Sequence, residues 1–307
     1  MATKIEWTRG DDGTAGETWN VVTGCTRISE GCEHCYIERT PPMRMAHRRF
    51  DGPQIGATTG VQLHPERLGR PLRWRSPRRV FVNSMSDLFH EDIPAEYIAR
   101  VWAMMAATPQ HTYQILTKRP ARMRALIQDD PQDLLEELLT EDEAGALYDA
   151  PWPLPNVWLG VSTESQRWAD IRIPQLLDTP AAVRWISAEP LLGPVDLTKW
   201  IPGRCTCQPR GSLPPIEGVH WNGCPALGYR DLDWVVVGGE TGPGARPMQE
   251  EWARSLRGQC AAAGVPFFLK QAGTVLAKQW GAASKKGSDP AEWPEPFPRE
   301  FPAGVSG

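Results

Sequence analysis

Six short apolar runs, each ending in small or polar residues, constrain this chain more than any other feature. They are RVFVNSMSD from Arg79, TYQILTKRP from Thr112, NVWLGVSTES from Asn156, AVRWISAEP from Ala182, LDWVVVGGETG from Leu232 and VPFFLKQAG from Val265. Amphipathic stretches such as PAEYIARVWAMMAATP and EEWARSLRGQCAAAG lie between them. Near-continuous apolar strands alternating with helices predict an α/β fold, with a parallel sheet covered on its outside. With a further strand running into Cys25, the count suits a partial or complete parallel β/α (TIM-like) barrel. An open doubly wound sheet is the alternative, and periodicity alone does not separate the two.

The strand ends carry the chemistry. In order they offer Asn83, Ser84, Ser86 and Asp87; Thr117, Lys118 and Arg119; Ser162, Thr163 and Glu164; Ser187 and Glu189; Gly238, Gly239 and Glu240; and Lys270 and Gln271. Polar groups at the carboxyl ends of parallel strands line the mouth of a β/α barrel, where its active site sits. One polar residue after a strand is ordinarily a turn or a cap; six such ends are harder to explain as turns. Lys118, Lys270 and Glu240 are the catalytic candidates among them. GGETGPG, Gly238 to Gly244, matches no complete phosphate-binding fingerprint, and its glycines serve equally to let the backbone approach a ligand.

The barrel is expected over residues 1–282, with three segments that break the rhythm. Residues 39 to 79 hold ten arginines, Arg39, Arg44, Arg48, Arg49, Arg67, Arg70, Arg73, Arg75, Arg78 and Arg79, against Asp51 and Glu66. Residues 128–147 read as an acidic, solvated helix. Residues 201–230 read as an inserted Cys/His loop, and 283–307 form a C-terminal tail rich in Pro, Gly and Ser, either a wrap or a loose end.

The formal net charge is −4, so any nucleic-acid binding must come from a local patch. No stretch approaches the ~20 apolar residues of a membrane span, and MATKIEWTRG lacks the apolar core of a secretory signal. A cytoplasmic protein with no membrane partner is expected, in a compartment that keeps thiols reduced. Seven cysteines, an odd number, argue against a closed disulfide framework. Clustered cysteines there bind metal or do chemistry.

Cys25, Cys32 and Cys35 read C-x6-C-x2-C within TGCTRISEGCEHCY. A structural zinc wants four protein ligands, and His34 or His47 are the nearby candidates for a fourth. A [4Fe–4S] cluster held by three thiolates keeps one iron open, the position a metal needs to bind a small molecule. A zinc knuckle completed by a distant histidine is the alternative. Cys205, Cys207, His220 and Cys224, C-x-C-x12-H-x3-C, form a second candidate set that could staple the inserted loop with zinc. The bland reading there is a reduced loop with an incidental histidine. Cys260, in a helical stretch, reads as core.

Three cysteines on the loop after the first strand of a β/α barrel resemble the radical S-adenosylmethionine (radical SAM) superfamily, whose commonest spacing, C-x3-C-x2-C, is three residues shorter in the first gap. The pieces TWNVVTGCTRISEGCEHCY, NSMSDLFHEDIP, ILTKRP, WLGVSTES, ISAEPLLGPVDL, VVVGGETGPGARPM and FFLKQAG resemble a phage- and bacteria-borne three-cysteine family from about Thr3 to Gly281. GCEHCY, TKRP and AEPLLGP are more loosely similar to spore photoproduct lyase. The resemblance implies that Cys25, Cys32 and Cys35 hold a [4Fe–4S] cluster. It implies that S-adenosylmethionine chelates the open iron and is cleaved to a 5′-deoxyadenosyl radical that takes hydrogen from a substrate, with flavodoxin or ferredoxin as electron donor. It places His34 near the adenine. Asn83, Ser84, Ser86 and Asp87 fall near the methionyl amino group, Ser162 and Glu189 near the ribose and methionyl carboxylate. Lys118 and Arg119 are placed to pair with that carboxylate or with a substrate phosphate. Asp87 as a helix cap and Glu189 as a turn residue are the plain alternatives.

The arginine-rich stretch, with His64 and Trp74 inside it, suggests a nucleic acid or nucleotide substrate. The bland alternative is a solvated face paired with the acidic helix of 128–147. Competing with the radical enzyme are a non-catalytic zinc-containing nucleic-acid-binding protein and a metal-dependent hydrolase. No histidine stands at the six strand ends, which weakens the hydrolase.

Overall fold

The computed structural model describes residues 3, 5–10, 13–127, 138–201 and 231–302. The strands are β1 (Glu17–Trp19), β2 (Val22–Thr23), β3 (Gln62–Leu63), β4 (Arg79–Val82), β5 (Thr112–Thr117), β6 (Val157–Ser162), β7 (Val183–Ala188), β8 (Trp234–Gly238) and β9 (Phe267–Gln271). Seven of them form one parallel sheet in the order β1-β4-β5-β6-β7-β8-β9, curled into a half-barrel. The six apolar runs are β4 to β9. The expected first strand is β1, which ends before the cysteines. Between them β2 pairs antiparallel with β3, and Gly24 bridges in parallel to Ser86.

The helices are α1 (Pro41–Met45), α2 (Ala95–Ala106), α3 (Pro120–Leu126), α4 (Glu141–Tyr148), α5 (Gln166–Leu177), α6 (Glu250–Ala263) and α7 (Thr274–Gln279). α2 shows why they form: Ile98, Val101, Trp102 and Met105 recur at three- and four-residue spacing and are buried, giving one apolar stripe to the sheet. α6 ends where Gly264 adopts φ 71°, the left-handed conformation that glycine enters without a Cβ clash. Of the acidic stretch, α4 is described, and Ala144 and Leu147 are buried.

The period of two along each strand sorts side chains onto two faces. Val80, Val82, Tyr113, Ile115, Val157, Leu159, Val161, Ile186, Val235, Val237 and Leu269 join the larger core with the helices. Phe81, Trp158, Trp185, Trp234 and Phe268 make a second cluster on the concave face. There the N-terminal Trp7 seats 4.7 Å from Phe81 and 5.1 Å from Trp185, and Phe301 lies 5.4 Å from Trp234. Such aromatic pairs add ~0.5–1.5 kcal/mol each beyond the area they bury. Above this floor the inward positions shrink. Gly160 is required because a Cβ there would stand 2.4 Å from the Trp185 ring. Alternating large and small inward residues is how small barrels fill. Farther up the same face, the parity reaches Asn83, Lys118, Ser162, Glu189, Gly238 and Lys270, a rim that is mostly polar above the aromatic floor. The tail wraps β9: Arg299 bridges antiparallel to Phe268, and the Glu300 N–H donates to Phe267 O at 3.0 Å.

Candidate functional site at the half-barrel mouth

The cysteine loop lies across the carboxyl ends of the strands. Its first anchor is Cys25, whose N–H donates to Thr59 Oγ1 at 2.9 Å while its carbonyl accepts from the Thr59 N–H at 3.0 Å. Cys25, Cys32 and Cys35 are all free thiols with partial solvent access. Protein nevertheless surrounds them. Burial, with Asp87 adding to it, pushes the Cys25 thiol up to about 12, and burial pushes Cys35 up to about 11. The sulfurs of Cys32 and Cys35 add to the rise at Cys25, so the three thiols share one electrostatic neighbourhood. Among the described residues, no three His, Cys, Asp or Glu side chains are grouped so as to hold one metal ion.

Two cations flank the sulfurs. Arg119 reaches 3.9 Å from Cys25 Sγ and is held by Glu91 at 2.9 Å and Asp87 at 3.5 Å. Lys118 stands 3.3 Å from Glu164. Burial alone would lower its pKa, but Glu164, then Cys32 and Cys35, outweigh burial and raise it.

Glu164 is the hub on this side. It is fully buried and accepts from Ser29 Oγ at 2.8 Å and from Arg172 at 2.6 Å, besides facing Lys118. Burial would raise its carboxyl, yet Lys118 and Arg172 together hold it below the usual carboxylate range. Ser29 also touches Cys32 Sγ at 3.7 Å. A Cβ on Gly31 would meet Glu164 Oε1 at 2.3 Å, so the loop presses directly on this carboxylate. Arg172, buried beneath, also donates to Ser162 O at 2.8 Å and stacks 4.1 Å over Trp168.

On the opposite side, Glu189 accepts from Lys270 at 2.8 and 2.9 Å and from Gln271 at 2.9 Å. Tyr36 lies between the sides. The residue is 51% exposed, its hydroxyl donates to Ser84 O, and Cys35 and Glu189 both act on it electrostatically. Glu240 is claimed by Arg246 through contacts of 2.5 to 2.9 Å, and Arg246 continues to Glu33 and the Glu30 carbonyl, both at 2.9 Å. That arginine ties the cysteine loop to the end of β8. His34 packs against Gly244, where a Cβ would lie 3.3 Å from its ring, and faces Glu33 at 3.9 Å.

Of the residues singled out in the sequence, Cys25, Asp87 and Arg119 are in contact, as are Lys118 and Glu164 and, separately, Glu189 and Lys270, in unequal roles. Asp87 is saturated: it takes the Thr117 hydroxyl at 2.7 Å, the Phe89 N–H at 3.0 Å, the Lys118 N–H at 2.9 Å and Arg119. It does not cap α2, whose N-cap is Pro94. Asn83 sits at φ 59°, and its Oδ1 accepts from the Val22 N–H at 3.1 Å. Ser84 donates to Asn20 Oδ1 and Ser86 to Val22 O, each at 3.1 Å. Ser29, Tyr36, Arg172 and Arg246 are contributors that the sequence did not single out. Glu164 stood among the strand ends, but its role depends on partners far away in the chain. Cys205, Cys207, His220 and Cys224 lie outside the described residues.

The arginine stretch divides. Arg48 is spent on Thr23, Gln62 and the Gly60 carbonyl, Arg67 on Glu66 and the Asn20 carbonyl, and Arg78 on Glu17. Arg79 is buried against Phe301. Among the described residues, no carboxylate pairs with Arg39, Arg44, Arg49, Arg73 or Arg75, including those of 138–147. No helix among the described residues is long and apolar enough to cross a membrane.

No curated protein and no solved structure matches the chain. A family model described as a protein of unknown function (DUF5131) matches residues 2–293. With nearly its whole length matched, cysteine loop and mouth included, the chain belongs to the DUF5131 family.

Proposed function

We propose that the protein is a radical SAM enzyme whose Cys25, Cys32 and Cys35 hold a [4Fe–4S] cluster at the mouth of the half-barrel. The observation that carries this reading is a donor set of three free thiols from one loop, beside carboxylates that are already engaged. Each carboxylate of the mouth is occupied by a cation: Asp87 by Arg119, Glu164 by Lys118 and Arg172, Glu189 by Lys270, and Glu240 by Arg246. A tetrahedral zinc, at Zn–S of ~2.3 Å, needs its ligands converging on one point. A cubane takes each thiolate at a separate iron corner, and the three thiols are electrostatic neighbours.

When bound with S-adenosylmethionine, such a cluster supplies one-electron cleavage of the sulfonium and a carbon radical that removes hydrogen from a substrate. The protein's own residues supply the setting. The raised Cys25 and Cys35 thiols would stay protonated and inert without a metal to favour their ionised form. Lys118 and Arg119 place positive charge against them. Glu189 and Lys270 satisfy each other while remaining reachable from the mouth, each side chain 19% exposed. A zwitterionic aminoacyl group entering between them would meet one acceptor and one donor of matching charge. That role suits Glu189 better than the more deeply buried Asp87, which already takes a hydroxyl, two backbone N–H groups and Arg119.

Anaerobic reconstitution with iron and sulfide tests the reading. Brown protein with cubane stoichiometry is expected, lost in Cys25→Ala, Cys32→Ala and Cys35→Ala alike, together with 5′-deoxyadenosine formation after reduction. Failure to retain iron, or loss of iron on replacing some fourth side chain, would sink it.

A further inference from the structure

The half-barrel carries a strip of unpaired arginines on the segment that follows its cysteine loop. Arg39, Arg44 and Arg49 are exposed, fall within eleven residues, and meet no carboxylate among the described residues. Elsewhere Arg254 pairs with Glu250 and Glu295, Arg124 with Asp178 and Lys199 with Asp170, while Arg167, Lys278, Lys285 and Lys286 are exposed with no ion pair among the described residues; only the segment 39–49 gathers three such arginines. With a net charge of −4, the clustering does not follow from a general excess of positive charge. Arg73 and Arg75 do not extend the strip. They flank Trp74, which packs 5.3 Å from His111, just before β5, and so belong to the amino end of the sheet.

The strip is held in place. Arg48, in its midst, is bonded to Thr23, at 2.9 Å to its hydroxyl and 3.1 Å to its carbonyl, two residues before Cys25. Phe50 donates its N–H to Glu38 at 2.8 Å and lies 4.2 Å under Arg27. Arg39 reaches the rim itself, its guanidinium lying over Gly242 where a Cβ would stand 2.1 Å from it. Gly242 has φ 104°, so the bare backbone there is required twice, for its conformation and for this approach. Beside the strip, Tyr36 offers a half-exposed ring fixed at its hydroxyl.

Planar guanidinium groups in a row suit phosphate oxygens, and a fixed exposed aromatic ring suits a base. We infer that the segment Arg39–Arg49 docks the phosphate backbone of a single-stranded nucleic acid, one base of which stacks on Tyr36 at the mouth. The inference rests on the proposed function for its purpose, since the docked strand would be the substrate. A base must leave its stack before chemistry can reach it, which favours a single strand.

Fluorescence anisotropy of the full chain, both as isolated and reconstituted, with labelled single-stranded DNA and RNA oligonucleotides over a salt series is the test. Three phosphate contacts predict a log–log salt slope of about −2. Arg44→Ala and Arg49→Ala should each weaken binding about fivefold and each flatten the slope by about 0.7, with iron content unchanged. Tyr36→Leu should weaken binding while leaving the slope intact. Equal affinity for polyglutamate or anionic vesicles, no binding at low salt, or an Arg39→Ala/Arg44→Ala/Arg49→Ala variant that binds like the parent would overturn the inference. Because the binding assay needs no cluster, strand binding without iron would reject the radical reading alone. Iron without strand binding would reject the strip alone.

Discussion

Replacing Glu164 with Gln should expose how the cysteine loop is fastened. The side chain is fully buried, and its carboxylate answers Arg172 at 2.6 Å, Ser29 at 2.8 Å and Lys118 at 3.3 Å. Gln keeps the shape and removes the charge. Arg172, itself buried, already has Nε and Nη2 without partners, so the change leaves a buried guanidinium with neutral acceptors and the Trp168 ring but no counter-charge. Breaking one side of a buried ion pair costs about 3–5 kcal/mol. At ~2–4 °C per kcal/mol for a large domain, the melting midpoint falls by roughly 6–20 °C. Urea unfolding of metal-free protein, followed by tryptophan fluorescence, reads the loss directly. The double variant Glu164→Gln/Arg172→Met should recover much of it, because the orphaned charge is gone. A single variant within ~1 kcal/mol of the parent, or a double variant no better than the single, would refute the hub.

The same residue sets a pH dependence. Its folded pKa lies below its unfolded value, so its contribution is complete above the unfolded value of ~4.3 and is lost as pH falls through the folded one; the stability gap between parent and Glu164→Gln should be flat from pH 6 to 8 and close in acid urea titrations. Gly31→Ala, whose Cβ would press on Glu164 Oε1, should lift the loop and lower iron retention after reconstitution, with β-sheet circular dichroism unchanged. Gly160→Ala would drive a methyl toward the Trp185 ring, costing ~1–3 kcal/mol and altering tryptophan emission; an unchanged urea midpoint would contradict the layered interior.

The sheet was legible because its signal is local. Each apolar run is near-continuous, as a strand covered on both faces requires, and the turn from apolar to polar marks the carboxyl end of β4, β5, β6, β7, β8 and β9. The strand's period of two, carried past its end, puts Asn83, Lys118, Ser162, Glu189 and Lys270 on one face, so the rim could be read before any coordinates. What escaped depends on distant partners. Ser29 and Glu164 are 135 residues apart, and Arg172 sits in a helix where an arginine ordinarily faces water. Composition also merged arginines of different kinds. Arg48 and Arg79 bond backbone carbonyls, Arg48 at Thr23 and Gly60 and Arg79 at Arg9; Arg67 and Arg78 pair with Glu66 and Glu17; and Arg39, Arg44, Arg49, Arg73 and Arg75 are exposed.

The strap over β9 bears on how copies of this molecule coexist. A sheet that stops short of closing presents a ribbon of unsatisfied amide groups, the template on which chains add to one another edge to edge. Here residues 298–300 occupy part of that ribbon, with Leu269 N–H donating to Pro298 O at 3.1 Å and the Arg299 guanidinium reaching the Leu269 and Lys270 carbonyls at 2.9 and 2.7 Å. Shortening the chain by its last dozen residues would thus uncover a sticky border as well as removing Phe301, turning a self-contained fold into a seed for polymerisation.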